Sequence, residues 1–160
     1  MTDELSQASR WLRDANHVCV LSGAGISAES GLPTFRGAGG LWRNHDAMSL
    51  ATPEAFGRDP RTVWAWYRWR QALVWRSEPN AGHRALVSLA EIRAVTLVTQ
   101  NVDGLHQRAG SQGVLELHGN LFADRCSRCH APAPCEPSAG SGVDPENPAN
   151  DPPLPRCTTC

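Results

Sequence analysis

Cys126-Ser-Arg-Cys129 and Cys157-Thr-Thr-Cys160 place four thiols in two Cys-x-x-Cys pairs near the end of a 160-residue chain. Thiolates in such a set bind zinc tetrahedrally at about 2.3 Å per sulfur, and four protein ligands leave no open coordination position. One structural zinc ion is the predicted occupant. The separation between the pairs, residues 130 to 156, is longer than the roughly 15–20 residues of a plain zinc ribbon, so the Pro/Gly-rich stretch there reads as an insertion. His130 competes as a ligand, with poor geometry because it adjoins Cys129. Cys135 reads as a bystander, and Cys19 as a small buried residue in a strand.

A second chemistry sits near the other end. The apolar run Val18 to Leu21 predicts a buried strand, and it breaks into Ser22-Gly23-Ala24-Gly25 before a helix-start signature at Ile26-Ser27-Ala28-Glu29. Gly23-x-Gly25-x-x-Ala28 fits the dinucleotide fingerprint with alanine in the third place. Glycines there accept positive φ and lack a Cβ, so a phosphate can approach backbone N–H groups at a helix start. The acidic residue usual about 20 residues further on is missing; Gly37, Gly39, Gly40 and Trp42 occupy that region. That disfavours an ordinary hydride-transferring dehydrogenase. It leaves a phosphate cradle or a glycine-rich βα turn with no ligand.

Two more predicted strands deliver polar groups to their carboxyl ends. Val95–Thr99 is followed by Gln100, Asn101 and Asp103, and Val114–Leu117 by His118. An imidazole with an ordinary pKa near 6.5 suits a general base; a core histidine at a strand end is the other reading. Asp103 is also placed to cap the short helix predicted over Leu105–Ala109, which stops at Gly110.

The elements that position these groups follow from periodicity. Leu5, Ala8, Trp11, Leu12 and Ala15 predict a helix over residues 4–15, before the first strand. Residues 33–51 have little periodicity and read as a mobile loop over a ligand. Thr52-Pro53 and Asp59-Pro60 each open a helix, with Thr52 and Asp59 as N-caps and proline in the first turn. The second runs to about Ser77 and is unusually aromatic. It has Val63, Tyr67, Arg70 and Val74 on one face and Trp66, Trp69 and Leu73 on another, so it should lie between two layers. Leu86, Leu89 and Ile92 mark a further helix. Strands alternating with helices imply an α/β fold with a parallel sheet, whose ligands bind beyond the carboxyl ends of the strands.

Bulk properties exclude some partners. The net charge of −1 gives no electrostatic case for nucleic acid or membrane, and no apolar run approaches the roughly 18 residues of a membrane span. The acidic N-terminus, Met1-Thr2-Asp3-Glu4, lacks the features of a targeting peptide, so a cytoplasmic location is expected. All fifteen basic residues are arginine, so the chain has no side-chain amine to carry an acyl group.

Gly25-Ile-Ser-Ala-Glu-Ser-Gly-Leu-Pro-Thr-Phe-Arg-Gly37, Thr99-Gln-Asn-Val-Asp-Gly-Leu-His106 and Leu117-His-Gly-Asn-Leu121, in that order, resemble the signature blocks of the sirtuins, NAD-dependent protein lysine deacylases. The resemblance implies a Rossmann-type parallel sheet over residues 1–122, with a helical and cofactor-loop insert at about 33–78, and a small zinc-ribbon domain over 123–160. It implies further chain beyond Cys160, returning to the large domain. In such enzymes the acyl oxygen attacks C1′ of the nicotinamide ribose and nicotinamide leaves. A histidine then serves as general base on a ribose hydroxyl, and the products are nicotinamide, acyl-ADP-ribose and free lysine. By resemblance His118 is that catalytic histidine. Gly23, Ala24, Gly25, Ser27, Phe35, Arg36, Trp42, Gln100, Asn101 and Asp103 match cofactor-binding positions. Phe35 is expected to shield the ribose and Arg36 to sit by the phosphates; Thr34 stands where many relatives have aspartate.

Tyr67 and Arg70, at i and i+3, put a phenol and a guanidinium on one helix face. An arginine in an aromatic pocket suits bidentate capture of a carboxylate, although a solvated or ion-paired helix arginine reads the same way in sequence. Tyr-x-x-Arg resembles the desuccinylase/demalonylase branch (class III), and Ala51 matches a small residue that widens the pocket. The partner implied is an acylated lysine of a protein substrate carrying succinyl, malonyl or acetyl. A non-catalytic zinc- and nucleotide-binding module remains the alternative.

Overall fold

The N-terminal helix forms where its period predicts, yet it contributes nothing to a core. In the computed structural model, which describes residues 3–33, 41–42, 45–133, 143 and 150–160, α1 spans Asp3–Asp14 with no buried residue. Leu5, Trp11 and Leu12 are exposed. β1 (His17–Ser22) follows, then the glycine turn and a four-residue helix, α2 (Ala24–Ser27), which passes into a 3-10 turn at Ala28–Ser30. β2 (Leu41–Trp42) and β3 (His45–Asp46) make a small antiparallel pair, and α3 (Ala47–Leu50) is capped by the Asp46 carboxylate. These short elements lie in the stretch expected to be a loop.

The two proline-opened helices follow. α4 (Pro53–Arg58) has its Ala55 N–H bonded to Thr52 Oγ1, and α5 (Pro60–Arg76) has its Thr62 N–H bonded to Asp59 Oδ1. α6 (Ala81–Ile92) is closed at its start by Asn80, whose side chain accepts from Gly82 and His83 N–H. β4 (Ala94–Thr99), α7 (Leu105–Ala109) and β5 (Leu115–Glu116) complete the order. Gly110 ends α7 at φ 111°, a left-handed position that disfavours a side chain.

β1, β4 and β5 form a parallel sheet in the order β1-β4-β5, with Val18 opposite Val95 and Ser22 opposite Thr99. The register aligns the carboxyl ends of β1 and β4, so Gly23–Gly25 and Gln100–Asp103 leave the sheet side by side. The buried apolar cluster lies away from the parallel sheet. Trp42, Ala47, Leu50, Ala55, Val63, Ala65, Trp66 and Val143 pack together around α3, α4 and α5, with Phe56, Tyr67 and Trp69 against them. α5 is buried on several sides, as its aromatic content predicts.

The sheet itself is covered less than expected. Alternate residues of a strand point to opposite faces, and His17, Cys19 and Leu21 all fall on an exposed face of β1. Cys19 is therefore exposed, not a buried strand residue. Leu21, Leu115 and Leu117 are exposed with it, because among the described residues no layer covers that face. Among the described residues, too, no helix is long and apolar enough to cross a membrane.

Between α6, α7 and the sheet lie two histidines that sequence reading did not single out. His83 and His106 are wholly buried with ring centroids 4.9 Å apart. The Ser22 hydroxyl donates to Thr99 Oγ1 at 2.8 Å, and His106 Nε2 lies 2.8 Å from the same Ser22 oxygen. With the serine proton so committed, His106 Nε2 is the donor. His83 Nδ1 accepts the Asn80 N–H at 3.3 Å. The His83 ring, accepting at Nδ1, is thus bonded as a neutral imidazole. Burial pulls both pKa values down, and the proximity of His83 lowers His106 further, against a smaller opposing pull from Asp103.

The sign for stability follows. Below pH about 6.5 the unfolded chain protonates these rings and the folded chain resists. Their contribution is complete above that pH and is lost as pH falls below it, with a slope of at most ~1.4 kcal/mol per pH unit for each ring. Urea midpoints measured from pH 7.5 to 5.5 should fall, and His106→Gln, which keeps a side-chain N–H for Ser22, should flatten the decline. Equal slopes for wild type and variant would remove His106 as its source.

Candidate functional site

The carboxyl ends of β1 and β4 are joined by a buried polar lattice. Asn101 Nδ2 donates to the Gly23 carbonyl at 3.0 Å and lies 3.1 Å from Ser27 Oγ. Ser27 Oγ donates to Asp103 Oδ2 at 2.7 Å, and Asp103 Oδ1 accepts the Leu105 N–H at 2.9 Å. Asp103 thus caps α7 and anchors α2 together. The Asn101 N–H bonds to Thr99 Oγ1 at 3.0 Å, and the Gln100 N–H continues the ladder to the Ser22 carbonyl. Ser27, Asn101 and Asp103 are all buried.

The glycines of the turn act by lacking a side chain. Gly23 has φ −143° and Gly25 is not among the positive-φ residues, so neither uses the left-handed backbone that glycine permits. A Cβ built on either meets nothing within 4 Å. The backbone there faces open space that side chains would begin to fill.

That space belongs to two adjoining cavities. One, of about 700 Å³, is lined by Ala24, Ser27, Ala51, Tyr67, Arg70, Gln100, Asn101, Asp103 and His118. The other, of about 740 Å³, is bordered by Gly23 and Gly25 and shares Ala24 and Gln100 with the first. Residues from the glycine turn, the aromatic helix and two strand ends therefore meet around one hollow. Trp42 does not line it; its ring is buried in the core 6.2 Å from Trp69. Phe35 and Arg36 lie outside the described residues.

Within the first cavity His118 is oriented by one bond. Its Nδ1 lies 3.1 Å from the Gln100 carbonyl, and a carbonyl can only accept. Nδ1 therefore carries the proton, and in the neutral ring Nε2 keeps its lone pair. The turn that follows is fixed by Asn120, which donates to Glu116 Oε1 at 2.7 Å and accepts the Phe122 N–H at 2.9 Å. Across the cavity the Arg70 guanidinium lies 4.8 Å from the Trp66 ring centroid and 6.0 Å from that of Tyr67. Burial lowers its pKa, while Tyr67 and Asp103 favour the charge; a guanidinium stays protonated through such shifts.

The four cysteines form a second site. Their sulfurs all lie within 4.8 Å of one another, with Cys126 3.7 Å from Cys160 and Cys129 3.6 Å from Cys157. Sulfurs about 2.3 Å from a tetrahedral zinc are about 3.8 Å apart, so the cluster has the dimensions of a zinc site. Arg128 and Cys129 N–H groups point at Cys126 Sγ, and the Thr159 N–H at Cys157 Sγ. The N–H groups of Thr159 and Cys160 bring the Cys157 thiol down to about 6, whereas contact with the other three thiols pushes Cys160 up to about 12. His130, at φ 60°, takes the left-handed turn after Cys129 and is not in the cluster.

Three polar residues beside the cavity gave no signal in the sequence. Arg68 and Gln71, buried on α5, reach Asp124 and the Leu121 carbonyl beneath the cysteine cluster. Nothing in the spacing points to Asp124.

With this geometry in place, comparison with known proteins is direct. The Sir2 family matches residues 23–160. The NAD-dependent protein deacylase of Methylococcus capsulatus is 51% identical over 157 residues, covering 93% of this chain and 58% of its own length. That of Thermus thermophilus is 49% identical over 159 residues, covering 90% and 62%. A crystal structure of a Sir2 homologue in complex with NAD superposes with a TM-score of 0.83 at 40% identity, covering all of this chain and 58% of that one. A mutant homologue bound to 2′-O-acetyl-ADP-ribose gives 0.82 at 41% identity, covering all of this chain and 59% of that one. The chain thus spans about three-fifths of the length of the relatives it matches.

The thiol geometry makes a direct prediction. Cobalt(II) added to metal-free protein should bind at one equivalent with the visible bands of a tetrahedral four-sulfur site, and Cys157→Ser should lose that spectrum. Because the thiols must give up protons to bind, cobalt affinity should be more than tenfold weaker at pH 6 than at pH 8. A pH-independent affinity would contradict the assignment.

Proposed function

The chain belongs to the Sir2 family, and we propose that it forms the catalytic part of an NAD-dependent protein-lysine deacylase. In this reading residues 1–122 are the dinucleotide-binding part, with the insert at about 33–78, and 123–160 are the zinc-binding module. When bound, NAD supplies an electrophilic ribose C1′ and the hydroxyls that receive the acyl group. Asn101 and Asp103 bind the nicotinamide amide and its ribose, from a turn held in place by Ser27. Gln100 sits on the ribose side, and the bare backbone at Gly23–Gly25 admits the phosphates. His118 takes a proton from a ribose hydroxyl at Nε2, the nitrogen left basic because Nδ1–H is bonded to the Gln100 carbonyl. That bond, on the wall that also carries Asn101 and Asp103, is the observation that carries the proposal.

The acyl group is proposed to be succinyl or malonyl. Tyr67 and Arg70 line the same cavity as His118, and a planar, permanently charged fork suits a terminal carboxylate. Ala51, on the cavity wall, leaves room for the longer acyl chain.

Two measurements test this. Release of nicotinamide from NAD in the presence of a succinyl-lysine peptide should require the peptide. His118→Ala should lower the rate of acyl transfer by 10²- to 10⁴-fold, the range of a lost general base, with NAD binding retained. A wild-type protein that binds NAD and zinc yet releases no nicotinamide would instead establish the non-catalytic module. For specificity, Arg70→Met should lower kcat/KM for the succinyl peptide at least tenfold while leaving acetyl-lysine activity within about threefold. Equal loss on both would remove the acidic-acyl assignment.

A further inference from the structure

α5 has two polar edges with different neighbours. Tyr67 and Arg70 line the cavity, while Arg68 and Gln71 reach the base of the cysteine-bearing module. Arg68 is only 7% exposed. Its guanidinium lies 4.3 Å from the Trp64 ring centroid, donates to Gln71 Oε1 at 2.8 Å, and forms an ion pair with Asp124 Oδ2 at 3.0 Å. Gln71 Nε2 in turn donates to the Leu121 carbonyl at 2.6 Å and lies 3.5 Å from Asp124 Oδ1. A buried charge is tolerated only when its partners are held in place, so the side chain and the module base are fixed against each other.

Each end of this clamp continues into a site. The Asp124 carbonyl accepts the Ala133 N–H, and the Cys126 N–H bonds to the Ala131 carbonyl, so Asp124 begins the short bridged turn that carries Cys126 and Cys129. Leu121 lines the cavity, and its N–H bonds at 2.8 Å to the carbonyl of Val102, which lines it too. Arg70, two residues beyond Arg68 on the same helix, faces the cavity interior. The cysteine cluster and the acyl pocket therefore share one rigid connection through a buried ion pair and a buried amide.

We infer that Arg68, Gln71 and Asp124 are positioning residues that couple metal occupancy of the four-cysteine site to occupancy of the acyl pocket. The inference rests on the reading of that pocket as the site of an acidic acyl-lysine. The thiols give up protons to bind a metal ion, and the bound ion then ties the two cysteine pairs together. Metal loss loosens the turn at Cys126 and Cys129, and Asp124 with it; Arg68 then loses its ion-pair partner, and the Arg68–Gln71 edge of the helix loses its tie to the base of the module. By reciprocity, a ligand that holds Arg70 and Leu121 in place must hold the metal more tightly, and couplings of this kind commonly amount to 5- to 150-fold.

The test measures zinc rather than catalysis. Zinc release from the whole protein to a chromophoric chelator is timed with and without a saturating succinyl-lysine peptide, whose binding is followed separately by fluorescence polarisation. Without peptide, Arg68→Met should release zinc at least fivefold faster than wild type. With peptide, wild-type release should slow at least fivefold and the variant's by less than twofold. Arg68→Gln, which keeps a donor for Gln71 but no charge, should behave as Arg68→Met does and replaces it if that variant does not fold. Asp124→Asn should match either one. A peptide that binds wild type without slowing zinc release overturns the coupling and leaves the pocket assignment standing. So does a variant that keeps the wild-type response. A peptide that does not bind zinc-loaded wild type overturns the pocket assignment and the coupling together.

Discussion

The Asp103 carboxylate, buried between Ser27 Oγ and the Leu105 N–H, is the constraint on which the site depends. A carboxylate taken out of water must have its oxygens satisfied, and an unpaired one would cost several kcal/mol. Here one oxygen claims a hydroxyl from the segment after β1, and the other a backbone N–H from the start of α7. Asn101 adds a bond to the Gly23 carbonyl. The two strand ends cannot separate without stranding these groups, so the glycine turn and the Gln100–Asp103 turn hold a fixed distance. Gln100 then offers its carbonyl to His118, which brings the third strand end to the same place.

Around that fixed point the structure divides its labour unevenly. The sheet supplies direction but little core, with one face of β1 and both leucines flanking Glu116 left exposed. Most apolar burial lies instead in the aromatic cluster around α5. The helix that lines the cavity thus also has the most buried residues of any element, and two of its arginines serve different neighbours: Arg70 the cavity, Arg68 the module that carries the cysteines. A packed helix fixes the reach of Arg70, because moving Arg70 means moving Trp66, buried beneath it.

Much of this was legible in the residues themselves. Helix starts at Thr52-Pro53 and Asp59-Pro60 were readable because capping is local chemistry, and the parallel order followed from alternating strands and helices. The four-cysteine site was readable from spacing alone. Other features were not, and for physical reasons. Cys19 lies in an apolar run that a covered strand would bury, but burial depends on which layer lies over the strand, and that is not local. Gly23 and Gly25 were open to two uses, positive φ and the lack of a Cβ; the fold uses only the second, and the folded neighbourhood decides which. His83, His106, Arg68 and Asp124 escaped notice because a buried polar residue is identified by partners distant in sequence. Asp103 was open to a capping and a site role at once, and its two oxygens divide between α7 and Ser27.

The orientation of His118 is the claim on which the chemistry turns, and nitrogen-15 NMR of the histidine rings in the whole protein reads it directly. The structure requires neutral His118 to carry its proton on Nδ1, with Nε2 unprotonated. Addition of NAD should shift the Nε2 resonance and leave Nδ1 protonated. A ring found protonated at Nε2 in the neutral state, or an Nε2 signal unmoved by saturating NAD, would contradict the account.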